Sequence, residues 1–262
     1  MSVVPKKELG QHFLVDENIL GVIARLAELD AEDVVLEIGP GLGVLTRFLA
    51  ARVAYVHAVE LDRSLEPRLR DIPNTTVHWG DALELDLSDL APAPRKLVAN
   101  LPYNVATPIV VESLDRLPAI DAWCVMVQRE VADRFFATPR TKAYGAVSVL
   151  VQLATERTGF HPVSREVFRP RPNVESALVA FRRTAPGIPP ATKRLVEGAF
   201  AHRRKMLANS LALAGVVTRE LAAAALDDFP ELSIQCFRFV AKRTPAAEID
   251  DGDVADYTLC QF

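Results

Sequence analysis

Cysteine is sparse in this chain, and what there is follows no pairing pattern. Cys124, Cys236 and Cys260 are the only three, far apart and odd in number. A disulfide framework or a zinc site needs closer spacing, so neither organises the fold and a reducing compartment is expected. Positive charge is not in excess either: 30 Lys plus Arg face 34 Asp plus Glu, a net of -4. That balance excludes a surface coated throughout for nucleic acid, but leaves room for a local basic face. No apolar run reaches membrane-spanning length and the N-terminus carries no signal-peptide core, so a cytoplasmic protein with no membrane partner is expected. There is no internal repeat. His57, His78, His161 and His202 show neither ligand spacing nor triad partners, so no metal is expected and these residues take structural or surface roles.

What is present is enough apolar residue for a packed core. Hydrophobic residues make up 50% of the 262 and charged ones 24%, which is the composition of a globular chain. Short β-branched or apolar runs alternate with helical spacing over the first 180 or so residues. Val34–Ile38, Tyr55–Val59, Thr76–Trp79, Lys96–Ala99 and Ala122–Val127 read as strands; Leu45–Arg52 and Ser64–Arg70 read as helices between them. Alternation of this kind predicts an α/β fold with a mostly parallel sheet. Ser148–Leu153 and Ala177–Phe181 read as further strands closing it. Prolines and a glycine in Thr184–Pro190 predict a linker. Beyond it, Ala191–Leu213, Thr218–Leu226 and Ser233–Ala241 read as helices of a small all-α domain. Five acidic residues and no basic one between Glu248 and Asp256 read as a solvated tail. The expected division is 1–184, 190–245 and an acidic tail, 246–262.

Glu37-Ile38-Gly39-Pro40-Gly41-Leu42-Gly43 joins the first of these strands to a helix. Glycines there let the backbone turn sharply and approach a ligand, and the following helix opens with free N–H groups. Val44 stands where a dinucleotide fingerprint would place its last glycine. Glu60 ends the next strand, where a carboxylate can accept both ribose hydroxyls. Asp81 follows the strand after that and can accept from an adenine amino group. Taken singly, each has an ordinary reading as a turn, a cap or a surface carboxylate. In register after successive strands they describe a nucleoside-binding crevice.

Asn100-Leu101-Pro102-Tyr103 ends the fourth strand. An exocyclic adenine amine is a poor nucleophile because its lone pair is delocalised into the ring. The Asn100 side-chain oxygen and the Leu101 carbonyl can each accept one amine hydrogen. Pro102, with fixed φ and no N–H, suits a rigid turn that aims that carbonyl. Tyr103 can stack on the base. Catalysis of this kind is positioning and electrostatics, with no metal or covalent nucleophile.

These segments resemble the class I S-adenosylmethionine-dependent methyltransferases, and more closely the KsgA/RsmA rRNA adenine dimethyltransferases. Also matching are Lys7–Leu14, Val59–Asp62, Gly80–Ala82, Gln128–Arg134, Tyr144-Gly145, Ser148–Gln152, Phe168–Pro170, Ala199–Lys205 and Asn209–Leu211. The resemblance implies a Rossmann-like methyltransferase sheet with a small helical C-terminal domain. It implies S-adenosyl-L-methionine as cofactor, with contacts at His12, Leu14, Gly39, Glu60, Asp81 and Asn100, and Gly41 in the same loop. The implied reaction is dimethylation of two adjacent adenosines in a hairpin loop near the 3′ end of small-subunit rRNA. Its partner would be that rRNA within an assembling 30S-type particle, and a monomeric enzyme is expected. Ala146, Val163-Ser164 and Asn173 depart from the family pattern, away from the chemistry.

Charge distribution says more than net charge. Residues 129–205 carry a net of +9 and the remainder a net of -13. Arg165, Arg169 and Arg171, with Arg203, Arg204 and Lys205 on a helix, are expected to contact RNA phosphates across a cleft between the domains. Three other readings stay open: a large-subunit rRNA methyltransferase conferring macrolide resistance, a non-catalytic RNA-binding factor on the same scaffold, and a nicotinamide dehydrogenase. Leu101, Asn104–Pro108 and Arg203–Lys205 favour the small-subunit family. The intact Asn100–Tyr103 quartet weighs against lost catalysis, and the missing third glycine against the dehydrogenase.

Overall fold

The computed structural model describes residues 11–202 and 205–227. The chain divides into two compact units. One runs through Phe136 and resumes over Ala154–Gly187; the other takes Ala137–Leu153 and the chain from Ile188 onward. The proline-bearing stretch at 184–190 contains the later junction. Nothing in the composition marks the earlier ones.

The first unit opens with a short strand β1 (Phe13–Leu14) and helix α1 (Glu17–Leu26). Asp16 caps α1, its Oδ1 accepting from Asn18 N at 2.8 Å, and Ile19, Leu20 and Ile23 form its buried face. Next come β2 (Val34–Ile38), α2 (Val44–Ala50), β3 (Tyr55–Glu60), a 3-10 turn leading into α3 (Glu66–Leu69), and β4 (Thr75–Trp79). They are followed by β5 (Lys96–Asn100), α4 (Ala106–Arg116), β6 (Ala122–Gln128) and α5 (Arg129–Phe135). Helix α6 (Ala146–Ala154), all but its last residue in the second unit, comes next in sequence, and the first unit resumes with β7 (Thr155–Val163), the two-residue β8 (Phe168–Arg169) and β9 (Ser176–Arg183).

Seven strands form one sheet in the order β4-β3-β2-β5-β6-β9-β7. The first five are parallel, and β9 runs antiparallel to both β6 and β7. Val35, Leu36, Leu97, Val98, Trp123–Val127 and Ala177–Phe181 are all essentially inaccessible. Such continuous apolar runs are what a sheet covered on both faces requires. Trp123 stacks on Phe181 at 5.2 Å and gives its indole N–H to Ser113 Oγ at 2.9 Å, so its one polar atom is satisfied in the core. Burial of each such ring contributes up to ~3 kcal/mol.

His57 is buried and fully satisfied. Its Nε2–H donates to Pro92 O at 2.8 Å, which leaves Nδ1 to accept from His78 Nε2–H at 3.0 Å. Desolvation pushes both imidazoles below their ordinary pKa. Among the described residues no group of three or more His, Cys, Asp or Glu could hold a metal ion, and no helix is long and apolar enough to cross a membrane.

The nine-residue strand β7 has no counterpart among the expected strands, and two expected elements differ. Ser148–Leu153 lies within the helix α6, not in a closing strand. A fully apolar run has no period that separates a buried strand from a buried helix, and here the Gly145 N–H gives its hydrogen bond to Ser148 Oγ at the helix start. In the second unit the expected helix over 191–213 is two, α7 (Pro190–Ala201) and α8 (Leu207–Leu213), with α9 (Arg219–Asp227) after them. The break has a partner: Ser210 Oγ accepts from His202 N at 3.1 Å and donates to Gly198 O at 2.8 Å. That hydroxyl takes the N–H that would have continued α7. Leu195, Leu211 and Ala222 pack as this unit's core. The expected helix at Ser233–Ala241 and the acidic tail lie outside the described residues.

Candidate active site

The glycine loop turns where only glycine is comfortable. Gly39, Gly41 and Gly43 have φ of +74°, +58° and +73°, the left-handed region in which a side chain is strained. A Cβ on Gly39 would sit 3.2 Å from the Pro102 ring, and one on Gly41 would sit 3.0 Å from the Phe13 ring. The loop therefore lies hard against the Asn100–Tyr103 turn on one side and the N-terminal segment on the other. Gly43 N–H closes the turn onto Pro40 O at 2.9 Å, and Gly43 caps α2.

Around this loop is an open cleft with a cavity volume of about 130 Å³. His12, Leu14, Gly39, Gly41, Glu60, Asp81, Asn100, Leu101, Pro102 and Tyr103 all line it. The structure thus brings together every residue expected to touch cofactor or target amine. They come from the C-terminal ends of β2, β3, β4 and β5, plus the segment around β1. That is where a parallel sheet places its ligands.

Glu60 is buried, with Oε2 accepting from Gly41 N at 3.0 Å and Oε1 from Asp62 N at 2.8 Å. Burial raises its pKa and the backbone N–H donors pull against that rise. A carboxylate has about four acceptor sites, so it retains capacity for a ligand hydroxyl. Asp81 uses Oδ1 to accept from Leu83 N at 2.9 Å, and Oδ2 has no partner among the described residues. Glu37, at the end of β2, is deeply buried, and its Oε2 makes no well-formed hydrogen bond among the described residues, although the Thr46 hydroxyl is near enough to favour the charged form. Desolvation pushes its pKa up to about 8, with the nearby Glu60 adding to the rise, so the carboxyl is mostly neutral at pH 7.

Asn100 has one end fixed. Its Nδ2 donates to His12 O at 3.0 Å, while Oδ1 has no partner among the described residues. Leu101 is held by its N–H on Met126 O at 3.1 Å, and Val105 N closes the turn onto Pro102 O at 3.1 Å. The Tyr103 hydroxyl lies 2.5 Å from Ser176 Oγ, and its ring lies 5.2 Å from the His12 ring at 31°. Desolvation raises the Tyr103 pKa, so its phenol stays protonated.

The segment carrying His12 is a strap held by distant residues. Strand β1 pairs antiparallel with β8, Phe13 opposite Arg169 and Leu14 opposite Phe168. Val15 N–H reaches Val167 O at 2.9 Å, and His12 Nδ1 donates to Pro170 O at 2.8 Å. Gln11 Nε2 donates to Asp62 Oδ2 at 3.2 Å. Asp62, buried, also caps Ser64 through Oδ1. The strap is thereby joined to the Glu60 loop. The resemblance also implies that Gln11-His12-Phe13-Leu14 folds over the cofactor, but sequence reasoning assigned no role to Asp62, Pro170 or Ser176. The first two lie in segments that carry the family resemblance, but their contacts span up to 158 residues of chain and no local pattern reports them.

The basic residues fall in both units. In the first, Arg165 pairs with Glu175 at 3.6 Å and Arg171 with Glu166 at 2.7 Å, all partly exposed. Pairs of that kind contribute little. Arg169 reaches only carbonyls, those of Phe168 at 2.9 Å and Glu166 at 3.2 Å, and has no carboxylate partner among the described residues. In the second unit Lys205 is exposed and sits between α7 and α8, so it is not on a helix as expected. Arg203 and Arg204 lie outside the described residues.

The family of ribosomal RNA adenine dimethylases matches residues 4–228. A ribosomal RNA small subunit methyltransferase A of Rubrobacter xylanophilus is 48% identical over 213 residues, 79% of this chain and 80% of that protein. Its counterpart in Geobacter metallireducens is 43% identical over 224 residues, 80% and 82% respectively. Among solved structures, the 23S rRNA methyltransferase ErmE is 32% identical with a TM-score of 0.58, covering 82% of this chain and 88% of its own. A dimethyladenosine transferase from Plasmodium falciparum superposes with a TM-score of 0.71 over 87% of this chain and 96% of its own, at 21% identity, and shares the fold. With nearly the whole of its described length matched, and the cleft residues that carried the resemblance gathered in one place, the chain belongs to the ribosomal RNA adenine dimethylase family.

Proposed function

We propose that this protein transfers methyl groups from S-adenosyl-L-methionine to the 6-amino groups of two adjacent adenosines in a hairpin loop near the 3′ end of small-subunit rRNA. The reaction belongs to ribosome assembly, with the assembling 30S-type particle as substrate, in the cytoplasm, and the enzyme acts as a monomer. The observation that carries the reading is the orientation of Asn100. Its amide nitrogen is taken by His12 O, and its oxygen, without a partner among the described residues, is left for the cleft that Asn100 and Leu101 both line.

The residues present fit the cofactor. A Cβ would fill the cradle at Gly39 and Gly41, and the free lone pairs of Glu60 and Asp81 suit ribose hydroxyls and an adenine amine. His12 and Leu14 close the cleft from the strap. When bound, S-adenosylmethionine supplies an electrophilic sulfonium methyl. Asn100 Oδ1 and Leu101 O accept the two hydrogens of the target amine, which localises its lone pair on nitrogen and aims it. Pro102 keeps the Leu101 carbonyl in place, and Tyr103 stacks on the base. Two preorganised acceptors in a partly dry cleft act without reorganisation at the moment of reaction. Arg165, Arg169, Arg171, Arg203, Arg204 and Lys205 hold the RNA by its phosphates.

The test is direct. Labelled cofactor is incubated with undermethylated small subunits, mature small subunits and large subunits, and the labelled nucleotides are mapped. Two adjacent dimethyladenosines near the 3′ end of the undermethylated small-subunit rRNA are expected. Label confined to large-subunit rRNA, or none on any particle, refutes the proposal.

A further inference from the structure

We propose that Ser176 is a positioning residue for methyl transfer, its hydroxyl fixing the Tyr103 ring as a rigid platform for the target base. This rests on the reading of Tyr103 as the residue that stacks on that base.

Ser176 is the first residue of β9 and is 1% exposed. It is registered opposite Gln128 on β6 and opposite Val163 on β7, so its backbone is held from both sides. The one hydrogen-bond partner of its side chain among the described residues is the Tyr103 hydroxyl, at 2.5 Å. The next positions of β9, Ala177 to Phe181, are all apolar. Packing alone would be met by alanine, and a buried hydroxyl is costly unless something uses it. What uses it is the far end of a ring whose near end belongs to the Asn100–Tyr103 turn. With its Cα set by that turn and its phenol tip tied to the sheet, the Tyr103 ring is held at both ends. The remaining described ring contact, with His12 at 5.2 Å, comes from the strap. A platform already held in place loses little freedom when a base stacks on it, and placement of the reacting groups is the main source of rate in a reaction of this kind.

The test uses the full chain with Ser176→Ala, Tyr103→Phe and the double variant. Methyl transfer is followed on undermethylated small subunits and cofactor affinity is read by calorimetry. Loss of one such hydrogen bond predicts a kcat reduced about tenfold. Cofactor Kd stays unchanged, because the two hydroxyls engage each other and neither residue is among the proposed cofactor contacts. Each single variant should lose the same amount and the double variant no more, since all three lack one shared bond. The His12 ring resonances provide a readout free of RNA: a loosened Tyr103 ring changes the ring-current shift at His12 in Ser176→Ala. Unchanged kcat, a parallel loss of cofactor affinity, multiplicative losses in the double variant or an unmoved His12 signal would each overturn the proposal. If Ser176→Ala does not fold, Tyr103→Phe removes the same bond from the other side and leaves the strand intact. A wild-type protein inactive on every particle counts against the proposed function, and the His12 shift still decides the anchor.

Discussion

Asn100 Nδ2 donates to the main-chain oxygen of His12 across 88 residues of sequence, so the strap chooses which end of the amide faces the cleft. A carbonyl can only accept, which forces the NH₂ end toward it and leaves Oδ1 for the substrate. Asn100→Ala removes one amine acceptor and should lower turnover about 10²–10³-fold while cofactor binding persists. Asn100→Asp sets a carboxylate against the His12 oxygen, so it should also weaken cofactor binding by displacing the strap. Single-turnover rates beside calorimetric affinities separate the two variants. Near-normal dimethyladenosine yield from Asn100→Ala would sink the mechanism.

Glu60 joins two backbone N–H groups of the cofactor loop region, from Gly41 and Asp62. Glu60→Ala should weaken cofactor binding by roughly 1.5–3 kcal/mol, the range of a hydrogen bond to a charged group. Its melting temperature should drop as well, because those two N–H groups are left without an acceptor. Unchanged affinity by calorimetry would remove the ribose role.

The two crowded glycines should fail differently. Gly39→Ala directs its methyl at Pro102 and Gly41→Ala at the Phe13 ring, each from a left-handed backbone. The former disturbs the Asn100–Tyr103 turn and is expected to reduce kcat more than affinity. The latter pushes on the strap and is expected to reduce affinity first. Identical kinetic profiles for the two would argue that the loop moves as one body.

Glu37 sets a pH dependence of stability. Its folded-state pKa is raised from 4.5 to about 8 by burial. Between those values the unfolded chain has released the proton and the folded chain has kept it, so stability falls as pH rises across that window. Glu37→Gln cannot ionise. Its melting temperature relative to the parent should climb from pH 5 to pH 8 and then level off. A difference that stays flat with pH would show that Glu37 is ionised in the folded protein.

Arg165 and Arg171 have carboxylate partners, and Arg169 has none among the described residues. Arg169→Ala should therefore weaken RNA binding most of the three. The triple alanine variant should flatten the dependence of log affinity on log salt, by roughly 0.7–0.9 for each phosphate that is no longer neutralised. If affinity holds and only turnover falls, the surface assigned to RNA is wrong.

Much of the catalytic half was legible because its signals are local. Val34–Ile38 is a β-branched run ending in a glycine turn, and Glu60 and Asp81 follow the next two strands, so spacing alone put them on one edge of a sheet. Ser148–Leu153 misled because a run so poor in polar residues has no period to read. Ala201–Met206 misled because a single hydroxyl, Ser210 Oγ, decides where α7 ends. The strap was visible as a motif, but its fastening was not. Two-residue strands such as β1 and β8 have no periodicity, and their pairing joins residues from distant parts of the chain.

That pairing has a consequence for how the protein comes into being. The glycine loop, Glu60, Asp81 and the Asn100–Tyr103 turn are all synthesised before Phe168 exists. Closing Phe13 onto Arg169 is among the most non-local contacts in the chain, the kind that forms late because its loop-closure entropy must be met first. A nascent chain that has passed Tyr103 but not Pro170 therefore holds every proposed cofactor-contacting side chain and still lacks the strand that fastens the strap. That fastening arrives with the stretch from Val167 to Pro170, which supplies none of the proposed cofactor contacts.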